Sequence, residues 1–198
     1  IERYPRFWAA MRPRMATVEA RTSELETGIE ALRDLYPELK PAQVYFTVGA
    51  LRSNGTTLDD KVLIGTELAL AGPEVPTEEL KDDLPHLEAF FASDPGRHLT
   101  FLNVHEYVHT QQATTIGETL LAQTVIEGVA EFVAELALEQ PSPNPQIAFG
   151  REHDRQLKAA FAQEMWSPLV YNWLWNSPDN AFGMRDLAYY LGYAICQG

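Results

Sequence analysis

Asn103-Val104-His105-Glu106-Tyr107-Val108-His109 is the stretch on which the fold turns. Its last five residues follow the pattern His-Glu-x-x-His. Residues i and i+4 of a helix share a face, so His105 and His109 can present both imidazoles to one ion. Glu106 lies about 100° further round the same turn. From there it can reach a water on that ion without ligating the ion itself. The spacing supplies two metal ligands and one general base.

The surroundings favour this reading over chance. From Leu99 to Ile116 the neighbours include Leu99, Phe101, Leu102, Val104, Val108, Ala113 and Ile116, and Glu106 is the only formally charged side chain. An apolar helix is a buried helix, where unpaired ionisable groups are costly. A metal removes that cost by giving the imidazoles and the carboxylate something to bind. The expectation is a zinc hydrolase, with a peptidase as the leading form.

Two histidines cannot hold a catalytic zinc alone, because three protein ligands plus water is the usual set. The longer pattern with a glycine and a third histidine is absent, since Gln112 and Thr115 occupy those positions. The third ligand is then a carboxylate or the remote His153. The downstream carboxylates are Glu118, Glu127, Glu131 and Glu135, with Glu118 too close to the first helix to turn back onto its metal. Between Thr119 and Ala134 the only charged residues are Glu127 and Glu131, one helical turn apart among Leu121, Val125, Val129 and Phe132. Buried carboxylates rarely stand unpaired, which sets this pair apart from a solvated stripe. Glu135 and Glu139 continue the i+4 series and read as solvated.

His105-Glu106-Tyr107-Val108-His109 followed by Glu127-Gly128-Val129-Ala130-Glu131 resembles the gluzincin arrangement of metallopeptidases. That resemblance implies one zinc ion on His105, His109 and Glu127, with Glu131 orienting a ligand histidine through a hydrogen bond. Thermolysin-like members carry Asp where this chain has Glu131. More narrowly, His-Glu-Tyr-Val-His-Thr-Gln-Gln, Glu-Gly-Val-Ala-Glu-Phe and the terminal Leu-Gly-Tyr-Ala-Ile-Cys resemble bacterial zinc-protease lipoproteins of the gliding-motility-associated type. The likeness spans roughly residues 40 to 198. It implies an exported protein, periplasmic or membrane-anchored, with a lipid anchor upstream of Ile1.

Composition bounds the rest. With 198 residues the chain suits one domain over 1–198, and 45% hydrophobic content suits a folded core. The net charge of −13, from 15 basic and 28 acidic residues, repels phosphates and anionic headgroups. Nucleic acid is excluded as a partner, and a peptide or protein substrate is expected. Cys196 is the only cysteine, so no intramolecular disulfide forms. No window approaches the length of a transmembrane helix. A chain beginning at Ile1 points to an upstream segment removed before it.

Taken in order, residues 6 to 36 read as a long amphipathic helix, with a break near Pro13 as an alternative, ended by Pro37 and Pro41. Residues 43 to 70 read as strands, with Asn54-Gly55 at a hairpin turn. An open strand edge there could pair with an extended substrate, although a plain structural hairpin fits equally. A helix follows from Thr77 to Phe91, with a kink or division at Pro85 as an alternative, then a turn at Asp94-Pro95-Gly96 and the His-Glu-x-x-His helix from near Arg97. Residues 140 to 145 form a rigid, exposed connector, and residues 152 to 165 a helix. The run Trp166, Tyr171, Trp173 and Trp175 reads as core before substrate wall. The last helix, Met184 to Gln197, offers Tyr193, then Tyr189, with His153 behind, to stabilise an oxyanion. The expected fold is α+β, a mostly helical zincin-like domain with a small sheet before the active-site helix. The alternative to an enzyme is a zinc-stabilised interaction module of a bacterial surface or gliding complex. A weaker one is hydrolysis of a non-peptide amide.

Overall fold

The computed structural model of the chain describes residues 2–113 and 117–198; Thr115 and Ile116, used above, lie outside them. The architecture is mixed, with eight α-helices and one three-stranded sheet among the described residues. Two compact units divide it, Ile1–Thr110 and Gln111–Gly198. No described helix is long and apolar enough to cross a membrane.

The first unit opens with α1 (Pro5–Met15) and α2 (Val18–Leu35). Pro5 stands in the first turn, where its missing N–H has no intrahelical use. The long helix does break, though at residues 16 and 17 rather than at Pro13. Thr17 Oγ1 donates to the Arg14 carbonyl at 2.7 Å, a local bond that competes with helix continuation. Leu25, Gly28 and Leu32 form the buried face of α2, which packs on the His-Glu-x-x-His helix.

Strands β1 (Gln43–Thr47), β2 (Gly55–Leu58) and β3 (Lys61–Gly65) follow. Their order is β1-β3-β2, with β1 parallel and β2 antiparallel to β3. The hairpin therefore joins β2 to β3 through Asp59 and Asp60, and Asn54-Gly55 is not its turn. Asp59 takes the left-handed conformation that such a tight link needs, φ 54°. After β3 the chain turns into a short helix, α3 (Thr66–Ala69), where further strand was expected. The expected helix from Thr77 is reduced to α4 (His86–Ala92), beginning behind Pro85. A 3-10 turn, Pro95–His98, leads into α5 (Leu99–His109).

Eight of the eleven residues of α5 are buried, from Leu99 and Phe101 to Val108. It packs on α2 and against β2 and β3. Tyr107 fixes its roll, because its hydroxyl accepts from Ala42 N at 2.7 Å. Phe7 stacks on Phe91 at 5.9 Å elsewhere in this unit. A buried phenyl group of this kind contributes about 1.5–3 kcal/mol.

The second unit is helical. Thr119 caps α6 (Leu120–Leu138) by accepting from Ala122 N. α7 (Pro145–Glu164) starts at Pro145, several residues earlier than expected, because a proline at the first helical position costs nothing. Its backbone kinks at His153. α8 (Ala188–Gln197) packs on α6 through Gly128 and Gly192, and a Cβ at either would strike the other helix's backbone. Arg185 falls outside α8 and pairs with Asp186. Of the aromatic run only Trp173 joins the core; Trp166, Tyr171 and Trp175 are exposed at 68%, 70% and 53%. The clustering of aromatics in sequence did not carry their facing.

Candidate metal centre

The last two turns of α5 carry the histidine pair. His105 and His109 are one turn apart, with rings at 83° and centroids 4.8 Å apart. Their Nε2 atoms stand 3.1 Å from each other. Two Zn–N bonds of 2.0–2.1 Å at a tetrahedral angle would put the nitrogens about 3.3 Å apart. The pair fits one ion. His105 is 6% exposed and Glu106, next to it, 7%.

Glu106 lies against β2, one of the two outer strands of the sheet. At Gly55 there is room for its carboxylate only because no side chain projects there. The segment leading into β2 is held by Glu67, which is fully buried at the start of α3. Its Oε2 accepts from Gly49 N at 3.0 Å and its Oε1 from Leu51 N at 2.8 Å. Ala50 and Leu51 both take left-handed backbone, φ 54° and 62°. Such conformations cost energy in residues with a Cβ and persist where contacts impose them. Neither Glu67 nor Gly55 was singled out as part of the site from sequence. A lone glutamate in an apolar run, Val62 to Leu70, was the available signal for Glu67.

Glu127, Glu131 and Glu135 follow each other on α6 at one-turn spacing. Glu127 is half-buried on α6, in the second unit, and is the carboxylate that the sequence offers as third ligand beside His105 and His109. Two nitrogens and a carboxylate oxygen are a donor set suited to zinc. Glu131 is fully buried. Both its oxygens accept from Asn144 Nδ2 at 2.9 Å, and Oε1 also accepts from the Ser142 hydroxyl. Glu135 is half-buried rather than solvated: it accepts from Ser142 N at 2.8 Å and from the Tyr193 hydroxyl at 2.6 Å. Residues 142–144 of the proline-rich connector are thus half-buried against α6 and hold its carboxylates, whereas Glu139 is exposed.

Tyr193 is fully buried within this second unit. Its hydroxyl donates to Glu135 and accepts from Arg151 at 2.9 Å and Gln197 at 3.0 Å. Burial, then the hydrogen bond to Glu135, raises its pKa above the ordinary tyrosine value. His153 stacks on Phe149 at 4.1 Å and donates through Nδ1 to the Phe149 carbonyl at 2.8 Å. Tyr189 is half-buried on α8. Compared with protein-family models, with curated proteins and with solved structures, the chain matches none.

Proposed function

We propose that the protein is a zinc-dependent metallopeptidase of gluzincin type, with His105, His109 and Glu127 as ligands of one ion. The observation that carries this reading is the 3.1 Å approach of the two Nε2 atoms beside a buried glutamate. Bound there, zinc supplies Lewis acidity that activates water and polarises a carbonyl. Glu106 takes the proton of the attacking water and then delivers it to the leaving amide nitrogen. Atoms balance: water adds across the C–N bond, giving a carboxylic acid and an amine.

β2 supports a peptide substrate, because an outer strand beside the base offers backbone groups to an extended chain. Glu131, held by Ser142 and Asn144, is assigned to orienting a ligand histidine. Tyr193 receives no oxyanion role in this proposal, since its proton is already committed to Glu135. Export and lipid anchoring belong to the proposal through the sequence resemblance alone.

Glu106→Gln tests the reading. It should leave zinc bound and reduce chelator-sensitive cleavage of casein or a peptide library by about 100-fold to 10,000-fold. Undiminished cleavage removes Glu106 as base. Zinc binding without any cleavage by the wild-type protein points instead to a zinc-stabilised interaction module.

A further inference from the structure

Gly55 begins the outer strand β2 and faces the Glu106 side chain. A Cβ built on it would stand 2.5 Å from Glu106 Oε1, 2.7 Å from Cγ and 2.8 Å from Cδ. Real Cβ atoms do not come so close, so any side chain at 55 and the present position of the carboxylate exclude each other. Backbone freedom is not the reason for glycine here, because Gly55 has no left-handed φ. Space is the reason.

We infer that Gly55 is a positioning residue for the base: its bare Cα is the seat on which the Glu106 carboxylate rests. The inference builds on the reading of Glu106 as general base. The strand is the stiffer of the two parties. Gly55 is in register with Ile64 on β3, Gly65 N donates to Asn54 O at 2.9 Å, and the Ser53 hydroxyl donates to the Gly55 carbonyl. Glu106 meets it with Oε1, Cγ and Cδ of a side chain that can rotate about χ1. A methyl group at 55 therefore turns the carboxylate aside and leaves the fold and the histidine pair in place. Moving a catalytic group by about 1 Å costs on the order of 100-fold in rate.

The test compares the zinc-loaded wild-type chain with Gly55→Ala. Expected are unchanged zinc content and Tm, KM within a few-fold, and kcat lower by about 100-fold. A crystal structure of the variant should show the Glu106 carboxylate displaced. Wild-type kcat in Gly55→Ala, or a carboxylate still in place beside a shifted strand, overturns the inference and leaves the peptidase reading standing. Failure of the wild-type protein to cleave any substrate overturns that reading instead, and with it the rate effect, while the crystal structure still decides the geometry. If Gly55→Ala lowers Tm, the same change in a Glu106→Ala background should restore it. A loss that persists there means the methyl group strikes something else, and the inference falls.

Discussion

The Nε2 atoms of His105 and His109 approach to 3.1 Å across the last turn of α5, with the Glu106 carboxylate buried one residue along. Helical spacing alone brings i and i+4 side chains onto one face. It does not aim two ring nitrogens at one point. Burial of α5 against α2 and the sheet, with Tyr107 tied to Ala42, fixes the roll of the helix. The close approach of the two ring nitrogens thus goes with how the first unit packs.

Glu131 is the carboxylate whose surroundings are most fully built. Truncation by Glu131→Ala leaves Asn144 Nδ2 and the Ser142 hydroxyl without their acceptor. Stability should fall by about 1–3 kcal/mol. If Glu131 orients a ligand histidine, zinc affinity should fall by about 10-fold to 100-fold as well. Chemical denaturation and zinc titration read the two effects separately. Unchanged affinity with lowered stability confines Glu131 to clamping the connector.

Glu67 holds the approach to β2. Two backbone N–H groups of a left-handed bend close on its carboxylate inside the core. Glu67→Ala should cost about 3 kcal/mol, the usual cost when charged hydrogen bonds are lost and donors stay buried. The urea midpoint measures it. A shift worth under about 0.5 kcal/mol, the range of an ordinary surface change, would show that the bend holds without the carboxylate.

Asp186 is 9% exposed and accepts from Trp175 N. Burial raises its pKa above 3.8, against the opposing pull of the Arg185 charge. The folded state therefore holds the proton more tightly than the unfolded chain. Its stabilising effect is full below pH 3.8 and is lost as pH rises through the folded value. Relative to Asp186→Asn, the wild-type protein should lose stability as pH climbs from 3.8 through that interval. Parallel denaturation series at several pH values check the sign. A wild-type protein that instead gains on the variant over this range contradicts it.

Much of the fold was legible because period and burial agree. The apolar run around His105 and the second run around Glu127 each predict a buried helix, and α5 and α6 occupy them. Elsewhere local chemistry was ambiguous. Asn54-Gly55 reads as a hairpin turn, yet Gly55 opens a strand paired with Ile64 and has no left-handed φ. Asp59-Asp60 makes the real turn, a less common pair. Pro145 reads as linker but starts α7, since proline suits both roles. The exposure of Trp166 and Tyr171 depends on tertiary facing, which a cluster of aromatics does not encode.

Zinc content of the purified full chain bears most directly on the central claim. The wild-type protein should carry one zinc per chain. His109→Ala and Glu127→Ala should each bind at least about 100-fold more weakly, since even outer partners of ligands are worth about 10-fold to 100-fold. A wild-type chain that takes up no zinc, or variants that hold it as tightly as wild type, would contradict the account.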